Sequence, residues 1–407
     1  MKPSRPGVFS LPVLVGALGF FVDIYDLQLF GIVRKPSLAS LGLSPDDILT
    51  QGENILNIQM IGLLTGGIIW GIMGDKKGRL SVLFGSIILY SLANIANGMV
   101  TTVTQYACMR FIAGVGLAGE LGASIALVSE MLPKEKRGLA ASVIAAVGVV
   151  GAVTAYFVYQ LSADWRWCFY IGGGMGLLLL FLRMGIRESG LYSGIKDKAI
   201  PRGNFFMLLN NRDRFFRYAK GVLIGLPVWY VIGILITFSD RFGKEMGIPD
   251  IDPAKAIMYQ YIAIGLGDVS AGLLSNYWKS RKKALFFFLS LLSVFVVLFF
   301  LQTGGSAATM YLLCGCLGFG AGFSILYITM SAEQFGTNLR ATTAISIPNM
   351  VRGMLPLIIL LFKGLRHLTG SYLTGGWITG LIVIPLAAWA AWHTRETFGL
   401  EMDYIEE

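Results

Sequence analysis

The amino-acid sequence predicts an all-α integral membrane protein with twelve transmembrane helices in two parallel, pseudo-symmetric six-helix halves. Three observations lead there. The chain is 55% hydrophobic and 14% charged over 407 residues, with a mean hydropathy of +0.66, a balance that water would not hold folded as a monomer. It contains roughly twelve apolar windows of about 20 residues, the length that crosses a hydrocarbon core. It also repeats itself at about half its length.

The elements follow in order. A short basic start, MKPSRPGVFS, has no small-residue cleavage site and is expected to remain as the amino terminus. The first span, 10–33, carries two acids, Asp23 and Asp26, within GFFVDIYDLQLFG. The second, 54–74, runs into the polar turn GIMGDKKGRL, and the third is 80–100. The fourth, 104–130, holds Arg110 and Glu120 and leads into SEMLPKEKRG; the fifth and sixth are 139–161 and 167–185. These make an amino-terminal half over 1–187. A cytoplasmic linker is expected over 188–217, where NFFMLLNNRDRFFRYAK mixes aromatic and basic residues. It reads as an amphipathic segment on the inner surface, not as an RNA-binding element. The carboxy-terminal half, 218–407, supplies spans at 218–239, 255–277, 284–302, 306–331, 340–363 and 373–393. Runs this long are helices, because a lipid-facing backbone must satisfy its own hydrogen bonds; a barrel would show shorter segments of alternating polarity.

Charge sorts by side. With both termini placed in the cytoplasm, about 23 of the basic residues fall there, about 8 outside and two, Arg110 and Arg352, within spans, which is the positive-inside pattern. Lys76, Lys77, Arg79, Lys134, Lys136, Arg137, Lys279, Arg281, Lys282 and Lys283 are among the inner group. The net charge of +9 therefore calls for a lipid bilayer and no nucleic-acid partner. Cys108, Cys168, Cys314 and Cys316 fall in or beside spans and are expected to be free thiols. Cys314 and Cys316 point to different faces of a helix, and no histidine cluster joins them to hold a metal.

The repeat is visible at three places. GIMGDKKGRL, from Gly71, is echoed by GLLSNYWKSRKK, from Gly272. Glu130 and Arg137 bracket six residues, as do Glu333 and Arg340; RES at Arg187–Ser189 returns as RET at Arg395–Thr397. The offsets of 201, 203 and 208 residues mark two homologous halves in the same orientation, a known architecture of transporters.

These residues resemble the major facilitator superfamily over essentially the whole chain. Its loop motif Gly-x-x-x-Asp-x-x-Gly-Arg is met by Gly71, Asp75, Gly78 and Arg79, and its fourth-helix element Arg-x-x-x-Gly-x-Gly by Arg110, Gly114 and Gly116. The Glu-x6-Arg loops, the RES and RET endings and GLAGELGASIALVSE are similar to the branch of sugar porters, metabolite:proton symporters and organic-ion transporters. Two elements depart from it. The seventh-span stretch IGLPVWYVIGILI lacks the Gln-Leu-Ser of sugar porters, and AAVGVVGAVTAY lacks the Gly-Pro of the antiporters, which turns the expectation away from sugars and drug efflux. The resemblance implies that Asp75, Arg79, Glu130 and Arg137, with Glu333 and Arg340 in the second half, form a cytoplasmic gate. The other reading is ordinary solvated interface charge. An exposed pair contributes about 0 to 1 kcal/mol, so the clamp is expected to be weak. Asn276 stands where the first half has Asp75, so the second network is expected to be weaker still.

A charge deep in a span costs on the order of 2.5 to 3.5 kcal/mol by insertion scales and needs a partner or a water-filled cavity. The candidates are Asp23, Asp26, Arg110, Glu120, Asp268 and Arg352. Gly19, Asp23, Asp26 and Phe30 share one helix face. Asp26 and Arg110 both lie near 10 Å from the outer ends of their helices at about 1.5 Å per residue, so they can pair, as a brace or as working parts. Asp23 and Glu120 lie deeper with no cation of their half in prospect, which makes them, with Asp26 as a third, the proton-coupling candidates, with a protonated structural acid as the alternative. Arg352 lies between Pro348 and Pro356 on a helix expected to bend. It requires an anion: a carboxylate or phosphate substrate, or Asp268 as a permanent partner. Asn349, Trp229, Tyr230 and Tyr261 are candidate cavity residues beside it, and Arg110 is a further substrate contact.

The expected function is secondary transport of a small organic anion by alternating access, with proton symport. The alternatives are an uncoupled facilitator or exporter of another organic solute and, remotely, a membrane sensor or enzyme. Catalysis is disfavoured: His367 and His393 lack metal-ligand spacing, and there is neither a Gly-rich phosphate cradle nor a nucleophile elbow. No cofactor or metal is expected. The expected partners are a small-molecule substrate, protons and the bilayer of the inner membrane, and a monomer should suffice.

Overall fold

A computed structural model describes residues 10–162, 164–185, 202–248, 250–401 and 403–406. The Arg187–Ser189 repeat, the first part of the expected linker and the side chain of Lys134 lie outside the described residues. Twelve helices within the described residues are long and apolar enough to cross a membrane. They are α1 (Leu11–Ser40), α2 (Thr50–Lys77), α3 (Arg79–Asn97), α4 (Val103–Met131), α5 (Lys136–Leu161), α6 (Trp165–Leu182), α7 (Arg212–Ile236), α8 (Pro253–Tyr277), α9 (Arg281–Leu301), α10 (Ala307–Glu333), α11 (Arg340–Thr369) and α12 (Tyr372–Trp392).

Local chemistry sets their ends. Thr102 and Gln105 form a capping box at the start of α4, and Ser280, Ser306 and Ser371 accept hydrogen bonds from the first turns of α9, α10 and α12, which supplies partners for otherwise orphaned N–H groups. The turn between α2 and α3 is a single residue, Gly78, at φ 100°, a conformation that side chains resist.

Four helices are not continuous. α4 divides into Val103–Leu117 and Glu120–Met131, and α10 into Ala307–Gly320 and Ser324–Glu333. Both breaks fall inside spans that apolar length alone marks as continuous. Glycine-rich stretches weaken them there, and side chains of other helices take up the freed backbone: Asn349 donates to Ala118 O (2.7 Å), and Ile325 N donates to Asp268 (3.1 Å). α11 breaks after Gly353, where Pro356 enters the first turn of the next piece, as the prolines led one to expect. α7 ends in a π-helical turn, Val231–Ile236.

The packing of the first six helices recurs in the last six. α2 packs on α4 as α8 does on α10, and α3 on α4 and α6 as α9 does on α10 and α12. Between these two sets, α2 lies along α11 and α5 along α8. The end bearing the α2–α3 turn is here the basal end; the end bearing the α1–α2 turn is the distal end.

Candidate functional site

One face of α1 carries the polar centre of the molecule. Asp26 takes a two-pronged ion pair from Arg110 on α4, Nη1 to Oδ1 at 3.1 Å and Nη2 to Oδ2 at 2.8 Å, with both residues wholly buried. Asn94 and the Phe169 ring complete the Arg110 surroundings. Arg110 is thus committed to Asp26 and lies outside the cavity described below, which corrects its assignment as a substrate contact.

Two turns nearer the basal end, Glu120 is also paired. Arg183, at the end of α6, bonds both Glu120 and Leu83 O and is 1% exposed. The expectation of a cation-free Glu120 is therefore wrong. α6 ends low enough in the bundle for the Arg183 side chain to reach inward. Gly19 provides the space, because a Cβ there would overlap Glu120 and Arg183.

Asp23 lies between these two pairs on α1. It is wholly buried, and neither oxygen has a hydrogen-bond partner among the described residues. Its nearest cation is Arg352 on α11, Nη2 to Oδ2 at 3.9 Å. The expectation that Asp23 has no cation is corrected: the cation comes from the other set of six helices, a juxtaposition invisible to depth arguments within one half. Arg352 is steadied by Asn349 Oδ1 at 3.2 Å, and its Cζ lies 5.9 Å from the centre of the Trp229 ring.

Arg352 lines a small cavity together with Phe20, Ile24, Trp229, Tyr261 and Tyr327. Gln28 donates to Tyr261 Oη at 2.6 Å, which ties α1 to α8. Asp268 borders the cavity but does not pair with Arg352. It accepts hydrogen bonds from Ser324 Oγ (2.9 and 3.1 Å) and Ile325 N (3.1 Å), capping the second piece of α10. The broken helix exposes N–H groups that draw a carboxylate. Tyr230 turns away and donates to Gly376 O at 2.8 Å, so it is part of the α7–α12 packing and not the cavity wall. Asn349 holds Arg352 and Ala118 and acts behind the surface.

The basal charges form a buried cluster rather than a solvated surface. Asp75 accepts from Ala341 N (3.0 Å), Thr342 N (2.8 Å) and Thr342 Oγ1 (2.7 Å), so a carboxylate on α2 caps α11 in the other set. Arg79 bonds Glu130 at 2.6 Å, and Arg340 reaches across to the same Glu130 at 3.3 Å. Asp75, Arg79 and Arg340 are 0% exposed, which replaces the weak exposed clamp with charge-assisted hydrogen bonds of about 1.5 to 3 kcal/mol each. Glu333 pairs with Arg281 (3.1 Å) and Thr397 (2.7 Å) instead of with Arg340. Asn276 accepts from Arg281 at 3.5 Å, a longer contact than those Asp75 makes. Arg137 is half-buried and donates to Leu132 O and Leu400 O.

Sequence reasoning missed Arg183, Arg281, Gln28 and the distal contact of Glu53 with Lys363, which joins α2 to α11. Arg183 lies inside the expected sixth span, and that position was the available signal. Among the described residues no group of three or more His, Cys, Asp or Glu could hold a metal ion.

Comparison with known proteins gives the context. The profile described as Major Facilitator Superfamily matches residues 16–359. The chain is similar to the benzoate transport protein of Acinetobacter baylyi, 24% identical over 81% of this chain and 78% of that one. It is similar to an inner membrane metabolite transport protein of Escherichia coli K12, 24% identical over 92% and 93%. Among solved structures it resembles a proton:xylose symporter bound to 6-bromo-6-deoxy-D-glucose, with a TM-score of 0.74 at 16% identity, covering 97% of this chain and 98% of that one. At that identity the likeness is one of fold.

Proposed function

This chain belongs to the major facilitator superfamily, and from that premise we propose that it carries a small aromatic carboxylate across the cell membrane together with a proton. It is a multi-pass membrane transport protein and not an enzyme. The observation that carries the proposal is the Asp23–Arg352 juxtaposition at 3.9 Å beside a buried cavity. One guanidinium faces one carboxylate. A substrate carboxylate that docks on Arg352 must compete with Asp23, and two buried carboxylates sharing one cation are disfavoured unless one is protonated. Protonation of Asp23 frees Arg352 for the anion, so proton and anion enter as a set. Trp229 beside Arg352 and the apolar wall of Phe20 and Ile24 suit an aromatic ring, and a relative with 24% identity bears the name of a benzoate transporter.

In the proposed cycle the halves are 1–187 and 218–407, joined by a linker over 188–217, and the basal end faces the cytoplasm with both termini. Asp75, Arg79, Glu130 and Arg340 clamp the basal end between the halves, with Glu333 and Arg137 at its margin. Binding of proton and anion from the distal side lets the halves rock, the clamp opens, and deprotonation of Asp23 restores its hold on Arg352 as the anion leaves. Symport of one proton with one monoanion is electroneutral. A potential of about 100 mV, worth roughly 2.3 kcal/mol per net charge, then leaves accumulation unchanged.

Uptake of radiolabelled benzoate into proteoliposomes tests this. Accumulation is expected under an inward proton gradient with voltage clamped, and none under voltage alone. Equal accumulation with and without the proton gradient removes the coupling, and leaves an uncoupled facilitator or an exporter.

A further inference from the structure

We infer that Arg34 forms a second, distal anion site at which the carboxylate is staged before it reaches Arg352. Arg34 lies near the distal end of α1 and is 8% exposed. Among the described residues no hydrogen bond, ion pair or ring contact reaches its guanidinium, whereas the other buried arginines, Arg79, Arg110, Arg183, Arg281, Arg340 and Arg352, each lie against an acid. An arginine keeps its charge when largely buried, and its fork of five donors, open to the adjoining cavity, suits an anion.

The guanidinium is not trapped in packing. It lines a separate small cavity with Gln28, Phe30, Trp229 and Thr237. Its aliphatic stem rests on α2 at Gly52, where a Cβ would come within 2.5 Å of the Arg34 Cδ. This cavity and the one lined by Arg352 share Leu27, Trp229 and Ile232. The two arginines therefore stand on either side of a thin apolar partition, with the Trp229 ring in it.

The two nearby acids reach Arg34 only through space, because each makes its direct contacts with other cations. Glu53 is bonded to Lys363, and Asp240 lies 3.8 Å from Lys35 and 4.0 Å from Arg241. Arg34 therefore shares its two nearby acids with Lys35, Arg241 and Lys363, a local excess of positive charge that favours an approaching carboxylate. The ligand class is a monoanionic carboxylate with an apolar body: the carboxylate for Arg34 and the body for Phe30 and Trp229. This rests on the proposed carboxylate transport and adds a site to it.

The test compares wild type with Arg34→Gln, Arg34→Lys and Arg352→Gln in proteoliposomes and detergent, with benzoate as the probe. Arg34→Gln is expected to raise the half-saturation concentration for uptake about tenfold, the loss of one charge-assisted contact. Its maximal rate and melting temperature should stay near wild type, and equilibrium binding at the Arg352 site should persist. Arg34→Lys, which keeps the charge, should recover most of the affinity. Raising the salt concentration should slow wild-type uptake at low benzoate more than that of Arg34→Gln. A wild-type half-saturation in Arg34→Gln, or a lower maximal rate at unchanged half-saturation, overturns the staging site while leaving the Arg352 reading intact. Absence of benzoate binding by wild type at millimolar concentration overturns both.

Discussion

Asp23 and Arg352 face each other at 3.9 Å across the boundary between the two sets of six helices, and Asp23 has no hydrogen bond of its own. The other buried acids are each held by one. This incomplete satisfaction separates a working carboxylate from the structural ones, since a fully bonded pair has little to gain from a new ligand.

Asp23→Asn should retain benzoate binding and exchange but lose proton-driven accumulation, so that the inside-to-outside ratio falls to about 1 under an imposed pH gradient. Filter-based uptake with ionophore-clamped voltage measures the ratio. Continued accumulation by the variant would falsify the coupling role.

Arg352→Gln removes the anchor. Two charge-assisted hydrogen bonds at about 1.5 to 3 kcal/mol each correspond to a loss of roughly 10²-fold or more in benzoate affinity. Arg352→Lys should restore it only in part, because an ammonium cannot grip a carboxylate with two parallel bonds. Calorimetric titration reports both, and unaltered binding in Arg352→Gln places the anion elsewhere.

Glu120→Gln and Arg183→Gln should each lower the melting temperature, because either leaves a buried charge uncompensated at about 3 to 5 kcal/mol. The double variant should recover much of that loss. Thermal unfolding in detergent gives the coupling; strictly additive losses mean that the two residues do not act as a pair.

Asp75→Ala strips α11 of its cap and should shift the population towards an open basal end by about tenfold or more. A cysteine pair across the α2–α11 boundary, placed away from Gly71 and Thr342 in a chain with Cys108, Cys168, Cys314 and Cys316 replaced, would report closure by crosslinking. An unchanged crosslinking rate removes Asp75 from the clamp.

Glu396, outside the spans, gives a pH effect with a definite sign. Burial alone would raise its carboxyl. Hydrogen bonds from Ser280 Oγ and from Phe398 N (2.9 Å), Arg281 N (2.9 Å) and Lys282 N (3.2 Å) outweigh that and hold it below its ordinary 4.5. Its contribution is therefore present above about pH 4.5 and lost as pH falls through the lower folded value. Melting curves of wild type and Glu396→Gln should converge on acidification through that window. A constant gap between them denies the contribution.

The twelve helices are legible in the amino-acid sequence alone, since apolar length and the cost of unpaired backbone in lipid leave little choice. The doubling of the chain was legible in three spaced echoes, and the bend in α11 in its two prolines. Asp26 and Arg110 could be brought together because both lie in the same half at the same depth. Contacts between residues whose depths match but whose helices belong to different halves emerge only from the three-dimensional packing. Asp23 with Arg352, Asp75 with the start of α11, and Arg340 with Glu130 all cross that boundary. So do the lining of the two cavities and the isolation of Arg34. Helical periodicity fixes which residues share a face, but not which face of one half meets which face of the other; that is set by the packing of α2 on α11 and α5 on α8, and every candidate functional contact follows from it.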